Sequence, residues 1–402
     1  MRFSTNGIYD AGTTAILQQQ EALIKTQQQI STGRRILTPA DDPIAATQAL
    51  NLSQASSLNS QYSVNRGHAL ASLGLAETTL KNVTSNLQDI RQIAVNAGNP
   101  ALTDTDRRSL ATELRGRFEA LLGQANITDG TGNYLFSGFQ ESTRPFSHQG
   151  LNVQYDGDQG QRLSQVGSTR QVAVSDSGTD IFERIKNGNE IFTTAANTGN
   201  TGSGIISAGS VPSPANLTGH HYEVSFTVNA GATTYDVVDI TTGATLSTGN
   251  AFSNTNTISF DGLEFSITGD PANGDIFTVS PSTNQSIFQT VGDLITALET
   301  PSSGQPGGAR LTNDLNSALQ NMDNGLEKIL STRASVGSRL QELEALETLG
   351  GDLEIQYEQR LSELRDVDYA KAISDFNRQQ VYLQAAQKTF STVSGLSLFD
   401  FI

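Results

Sequence analysis

The sequence predicts a mainly α-helical chain with inserted β structure. Its N- and C-terminal segments form an elongated helical rod, a coiled coil or helix bundle, that carries a small β-hairpin region and a β-rich insert domain. Three observations carry this reading. Near one end Tyr9, Ile16, Leu23, Ile30 and Leu37 recur every seven residues, and near the other Ile355, Tyr369, Phe376, Leu383 and Phe390 lie on a second such grid, with Ser362 in the gap. A seven-residue apolar stripe marks a helix packed along its length against other helices. No proline follows Pro306, so the last quarter of the chain is free to run as nearly continuous helix. Between about 190 and 285 the composition turns to Gly, Ser, Thr and Asn, and apolar residues alternate, as in strands.

The elements follow in order. A first helix is expected from about 8 to 30, ended by Ser31-Thr32-Gly33. In the turn Thr38-Pro39-Ala40-Asp41-Asp42-Pro43, Asp42 suits an N-cap and Pro43 the first helical position. The second helix, about 43 to 96, carries Leu73, Leu80 and Leu87 in one row and Val83 and Ile90 in another. At ~1.5 Å per residue it is a rod of roughly 80 Å, stopped by Gly98-Asn99-Pro100. Thr103 and Asp106 resemble a capping box for a helix through Leu114, Phe118 and Leu122. Short strands are expected at Tyr134-Leu135-Phe136, around Val153 and Tyr155, and at Val172, with a short helix from Ile181 to Lys186. In the insert, Tyr222, Val224, Phe226 and Val228 alternate, Asp261-Gly262 is a two-residue hairpin signal, and Phe277 and Val279 supply another strand. Helix resumes at about 286 with Ile287, Val291 and Leu294, and a loop spans Pro301 to Gly308. The long C-terminal helix carries Leu319, Met322, Leu326, Ile329, Val336, Leu340 and Leu343. Gly350-Gly351 is expected to bend or break it, at about 1 kcal/mol per glycine.

These boundaries give five segments: 1–42, which pairs with 358–402 as a terminal coiled coil; 43–189 and 286–357, the two halves of the helical rod; and 190–285, the β insert.

Composition narrows the function. Of 402 residues, 41 are acidic and 25 basic, for a net charge of -16. That balance offers no basic face for nucleic acid or anionic lipid. Cysteine is absent, which excludes disulfides, thiolate metal sites and cysteine nucleophiles. No stretch approaches a membrane span, and the opening MRFSTNGIYD lacks the apolar run of a cleavable signal peptide. The chain is therefore expected to be cytoplasmic or exported without a cleaved signal.

Residues with chemical potential do not converge. His220-His221 are adjacent in a strand pattern, so they point to opposite faces. Asp156-Gly157-Asp158-Gln159-Gly160 begins like a calcium loop but has Gly160 and Gly167 where the fifth and twelfth ligands belong. Gly130-Thr131-Gly132 is followed by Leu135, so the dinucleotide fingerprint fails at its third glycine. Asp41-Asp42 reads as helix capping and Arg34-Arg35 as solvated surface or carboxylate partners. No catalytic, cofactor or metal site is expected.

The terminal stripes are a different matter. Each offers a handful of large apolar side chains worth about 1.5–3 kcal/mol apiece when buried, against about 1–2 kcal/mol per residue for ordering backbone. Glutamines, Gln20 and Gln27, occupy the companion stripe. Ile16, Leu23, Ile30, Phe376, Leu383 and Phe390 are therefore expected to make contacts between copies in a homo-oligomer. Residues 1 to about 40 and 360 to 402 are expected to fold only on assembly.

At this point the motifs become familiar. The run Ser31-Thr32-Gly33-Arg34-Arg35-Ile36-Leu37-Thr38-Pro39-Ala40-Asp41-Asp42-Pro43-Ile44-Ala45 resembles the N-terminal signature of the bacterial flagellin superfamily. Met1-Arg2-Phe3-Ser4-Thr5, the run from Asp129 through Phe139 and the hairpin segment from Asp261 to Asp275 are similar to its hook–filament junction branch. Arg333-Ala334-Ser335-Val336-Gly337-Ser338-Arg339-Leu340 and Asp366-Val367-Asp368-Tyr369-Ala370 match the C-terminal pattern. The ending Leu398-Phe399-Asp400-Phe401-Ile402 departs from flagellin's usual Leu-Leu-Arg, which disfavours the alternative of a filament subunit. The resemblance implies a non-enzymatic structural protein of the flagellum, exported unfolded through the flagellar type III apparatus. It would assemble as a ring between the first hook-associated protein and flagellin and be required for filament assembly and motility. A cytoplasmic chaperone would hold its C-terminal region, with no membrane insertion.

Overall fold

The computed structural model describes residues 5–302 and 304–395. The opening Met1-Arg2-Phe3-Ser4 and the ending Leu398–Ile402 lie outside them. The chain divides into two compact units, 1–65 with 345–402 and 66–344.

Among the described residues the first unit is built of helices joined by turns. It contains α1 (Thr5–Thr32), the first part of α2 (Pro43–Ala97), the last part of α5 (Gly304–Arg365) and α6 (Tyr369–Gly395). Two short turns join these helices and meet each other. In the first, Gly33 adopts φ +69°, a conformation cheap only for glycine. The Asp42 carboxylate caps α2 by accepting the Ala45 N–H at 3.0 Å, with Pro43 at the first helical position. In the second, the Asp368 carboxylate accepts the Lys371 N–H at 3.1 Å and starts α6. The expected helix break at Gly350-Gly351 does not occur, since α5 runs unbroken to Arg365. Gly350 is buried against α2 and its carbonyl accepts the Asn59 amide at 2.8 Å, which helps offset the flexibility of the glycine pair. Ile355 therefore sits on α5, not α6, and is exposed.

The second unit has a helical part and a β part. The remainder of α2 buries Leu73, Leu80, Val83, Leu87 and Ile90 completely, and the facing part of α5 does the same with Met322, Ile329, Val336 and Leu343. Arg91 binds Asp323 and Arg333 binds Glu77 across this pair, at 2.6 and 2.7 Å. Helix α3 (Asp104–Ala125) opens with the expected capping box, Thr103 and Asp106 each accepting from the other's backbone N–H. Helix α4 (Ile287–Glu299) lies against α3, with Phe118 edge-on to Phe288 at 6.2 Å between ring centroids.

Small hairpins surround these helices: β1 (Phe146–Gln149) with β2 (Asn152–Tyr155), and β3 (Leu163–Gln165) with β4 (Gln171–Ala173). Tyr134-Leu135-Phe136 is not the expected strand. Tyr134 makes a single bridge to Thr128, while Leu135 and Phe136 are buried, Phe136 edge-on to Phe182. The short helix expected at 181–186 is a π-helical turn, Thr179–Glu183, followed by β5 (Ile185–Lys186). Helix α5 begins at Gly304, inside the expected loop, and Pro306 in its first turn gives up no intrahelical hydrogen bond there.

The insert holds β6 (Phe192–Ala196), β7 (Ile205–Ile206), β8 (Tyr222–Asn229), β9 (Ala232–Asp239), β10 (Ala244–Ala251), β11 (Thr257–Phe260), β12 (Leu263–Thr268) and β13 (Ile276–Pro281). Short β14 (Asn284–Gln285) then returns to pair with β5. One antiparallel sheet runs β10-β9-β8-β13-β6 and a second β11-β12-β7. Tyr222, Val224, Phe226, Phe265, Ile267 and Phe277 share the core between them. Asp261 (φ 44°) and Gly262 (φ 80°) make the β11–β12 turn, as the Asp-Gly pair predicts. Strands β9 and β10 carry no comparable signal, because β10 is exposed along most of its length and has no apolar alternation.

Candidate assembly surface

The six expected contact residues lie on the α1–α6 pair. The Tyr9 and Phe390 rings meet edge to face, 5.9 Å between centroids at 85°. A Cβ at Gly12 would lie 2.7 Å from the same Phe390 ring, and one at Gly33 would lie 2.9 Å from the Tyr369 hydroxyl. The two helices are therefore antiparallel. Seven residues on from Tyr9 and seven back from Phe390, Ile16 comes level with Leu383; the next step pairs Leu23 with Phe376, and the next Ile30 with Tyr369. Ile16, Leu23, Ile30, Phe376, Leu383 and Phe390 are all half-buried in this single copy.

The pair leaves a second apolar set outside. Leu17 and Ile24 on α1, and Ile373, Val381 and Tyr382 on α6, are all exposed. Sequence reasoning passed over them because they fall one residue beside the heptad grid on α1 and on both sides of it on α6. The repeat Leu17–Ile24, again seven residues, was the available signal.

The meeting of the two turns fixes the base of this pair. Arg35 donates from its backbone N–H to the Arg365 carbonyl at 2.7 Å and from its guanidinium to the Leu364 carbonyl at 2.9 Å. Those carbonyls belong to the open C-terminal end of α5, where a cation is also favoured by the helix dipole. Arg34 bridges to Asp366, and the Val367 N–H donates to the Gly33 carbonyl at 3.0 Å. The Asp41 carboxylate accepts Lys25 Nζ at 2.5 Å and the Thr38 and Leu37 N–H groups at 2.9 and 3.1 Å. The Lys25 ammonium, then the backbone donors, hold its pKa down at about 2. Arg35 thus works as a helix cap and a carboxylate partner, Arg34 pairs through its backbone, and the acidic pair supplies turn and cap acceptors.

The other candidate residues do not assemble into a site. His220 Nδ1 lies 2.8 Å from Asp239 and His221 Nδ1 3.1 Å from Ser280, so the two rings have separate partners. Asp158 accepts the Phe139 and Gly160 N–H groups and orders a turn. Among the described residues no three His, Asp or Glu side chains come together as a metal site, and no helix is long and apolar enough to cross a membrane.

Comparison with known proteins gives the family. Residues 3–141 match the model of the bacterial flagellin N-terminal helical region. Over 401 residues, 100% of this chain and 99% of the relative, the sequence is 30% identical to flagellar hook-associated protein 3 of Escherichia coli K12. The chain belongs to the hook-associated protein 3 family. It is a helical, flagellin-like structural component of the bacterial flagellum. The hook-associated protein 3 of Salmonella typhimurium is also 30% identical, over 100% of this chain and 99% of that one. Two solved structures share the fold. Flagellar hook-associated protein 3 of Legionella pneumophila superposes with TM-score 0.73 at 32% identity, covering 78% of this chain and 98% of that one. FlgL of Xanthomonas campestris gives 0.72 at 30%, covering 77% and 99%.

Proposed function

We propose that this member of the hook-associated protein 3 family is the junction subunit of its flagellum. Copies assemble as a ring between hook-associated protein 1 and the flagellin filament, and filament growth and motility depend on that ring. The observation that carries the reading is the α1–α6 pair: helices from the two ends of the chain, half-burying one apolar row and leaving a second outside. Ile16, Leu23, Ile30, Phe376, Leu383 and Phe390, with Leu17 and Ile24 beside them, form the packing surface between copies. A pair this sparse is marginal by itself, so the termini gain their full order on assembly.

The role is structural, without catalysis or cofactor. Export proceeds through the flagellar type III apparatus with an uncleaved N-terminal signal. A cytoplasmic chaperone holds the C-terminal region before export. A filament-subunit role is less well supported, since a flagellin of Listeria monocytogenes aligns over only 33% of this chain, at 25% identity.

Deletion of the gene is the test. The expected phenotype is a hook without a filament and flagellin monomers released into the medium. An intact junction in cells that merely lack flagellin overturns the reading. Limited proteolysis tests the terminal segments separately: in dilute monomer, both ends should be cut well before the second unit, and equal resistance refutes assembly-coupled ordering.

A further inference from the structure

The part of α2 in the first unit is built inside out. Its covered stripe is Ala45 and Ala49, which are buried, with Leu52, Ser56, Asn59 and Ser63, which are half-buried, so it is mostly small or polar. Two carboxylates of α5 close the seam: Glu354 accepts Ser56 and Asn59 at 2.6 and 3.0 Å, and Glu347 accepts Ser63 at 2.8 Å. The larger apolar side chains lie outside it: Ile44 is 72% exposed, Leu50 69%, Leu58 49% and Val64 53%.

These four are not scattered. At about 100° per residue, Leu50 and Val64 fall about 120° to one side of the covered stripe, and Ile44 and Leu58 about 120° to the other. Within each row the two residues are two heptads apart. Helix α5 repeats the arrangement, with exposed Leu349 and Ile355 on opposite sides of its Glu347–Gly350–Glu354 row.

Charge identifies what covers the rows. In a chain with 41 acidic and 25 basic residues, none of the residues from Pro43 to Asn65 is charged. A solvated helix face ordinarily carries Lys, Arg, Glu or Asp. Two copies with net charge -16 repel each other, and an uncharged helix face adds no local like-charge contact to that repulsion.

We infer that residues 43–65 form a two-sided contact between copies of this chain, the Ile44/Leu58 row of one copy packing against the Leu50/Val64 row of the next. The inference rests on the junction reading and adds to it which surfaces meet. Unlike rows in contact give a heterologous interface, which propagates around a ring, whereas like rows in contact stop at a two-fold dimer.

The absence of cysteine makes the test clean. Flagella are isolated from cells expressing Leu50→Cys, Leu58→Cys or both in one chain, and treated with a bifunctional thiol reagent. Both positions are exposed, so the substitutions leave the helix core untouched. Each single variant should stay monomeric on a denaturing gel, and the double variant should give dimers and a ladder above them. Dimers from a single variant, as abundant as those from the double, mean that like rows meet and overturn the inference. A double variant present in the flagella but uncrosslinked overturns it too. A protein that is made but never found in isolated flagella defeats the junction reading itself, and the inference with it.

Discussion

The Arg35 guanidinium donates to the Leu364 carbonyl at 2.9 Å, joining the turn after α1 to the end of α5. The same side chain reaches Asp42 at 3.2 Å, the residue that caps α2. One arginine therefore touches the start of one long helix and the end of another, at the point where the α1–α6 pair departs from both. Backbone pairing between Arg34 and Asp366 runs alongside it. The signature that identified the superfamily in the sequence is, physically, this crossing of two turns.

Replacing Arg35 by alanine should therefore loosen the crossing without touching a core. The lost hydrogen bonds are partly solvated, so the expected cost is about 1 kcal/mol. Earlier proteolytic cleavage within residues 33–42 is the readout, compared with cleavage in the second unit. Lysine should restore little, because it cannot span Leu364 and Asp42 with one planar fork. Unchanged cleavage in Arg35→Ala would show that the backbone pairing suffices.

The crossing should also open in acid. Asp41 sits at about 2, below its usual value, because of Lys25 and then the Thr38 and Leu37 N–H groups. Asp42 is lowered as well, first by the Ala45 N–H and also by Arg35. Both pKa values are depressed in the folded state, so their stabilisation is complete above the unfolded value of about 4. It is lost as pH falls through the folded one. Amide protection at Leu37 and Thr38, relative to the intrinsic exchange rate at each pH, should fall between those limits, and Asp41→Asn should show the lower protection already at neutral pH. Protection that persists at pH 2 contradicts this account.

How much was legible in the sequence depends on what enforces each element. Leu73, Leu80 and Leu87 announced the second unit's helix pair because a buried stripe must be apolar. Asp261-Gly262 announced its hairpin because only certain residues accept that turn. Tyr134-Leu135-Phe136 misled, since three aromatic and aliphatic residues in a row suit either a strand or a turn that buries rings. Strands β9 and β10 stayed hidden because β9 borrows its place from pairing with β8, and β10 pairs only with β9. At the assembly surface the heptad grid found the row that closes the α1–α6 pair. The exposed rows were missed because each holds only two residues in register, as Leu17 and Ile24 do, which is too short a repeat to stand out until one knows which face is covered.

The insert, and the chain leading into it at Lys186 and Gly188, are held to α5 by buried asparagines whose role no pattern announces. Asn324 Nδ2 donates to the Lys186 and Gly188 carbonyls, both at 2.8 Å, and Asn321 accepts the Gly188 N–H at 2.8 Å. Asn313 does the same for the Ile206 N–H, at 2.9 Å. Asn324→Leu keeps the volume but leaves two carbonyls without their donor. The expected loss is about 2–3 kcal/mol, read as a lower unfolding midpoint in urea and faster exchange around Gly188. A variant as stable as the parent would mean that water replaces the amide.

Gly12 offers the sharpest test of the α1–α6 pair. A Cβ there would meet the Phe390 ring at 2.7 Å, so the glycine serves as a slot for that ring. Alanine would ordinarily favour an exposed helix by about 1 kcal/mol, so the two effects oppose each other. Because Phe390 is half-buried on a two-helix pair, its ring can swing outward, and Gly12→Ala should be nearly neutral for the isolated chain. Gly12→Val goes beyond what a ring rotation accommodates and should expose the C-terminal segment to protease in the assembled protein, where the termini are ordered. Shortening the partner, Phe390→Leu, should restore resistance in the Gly12→Val background. Rescue by that second substitution distinguishes a steric slot from a general loss of helix, which leucine at 390 cannot repair. If valine at 12 leaves the α6 cleavage rate of the assembled protein unchanged, the two helices do not meet at this level.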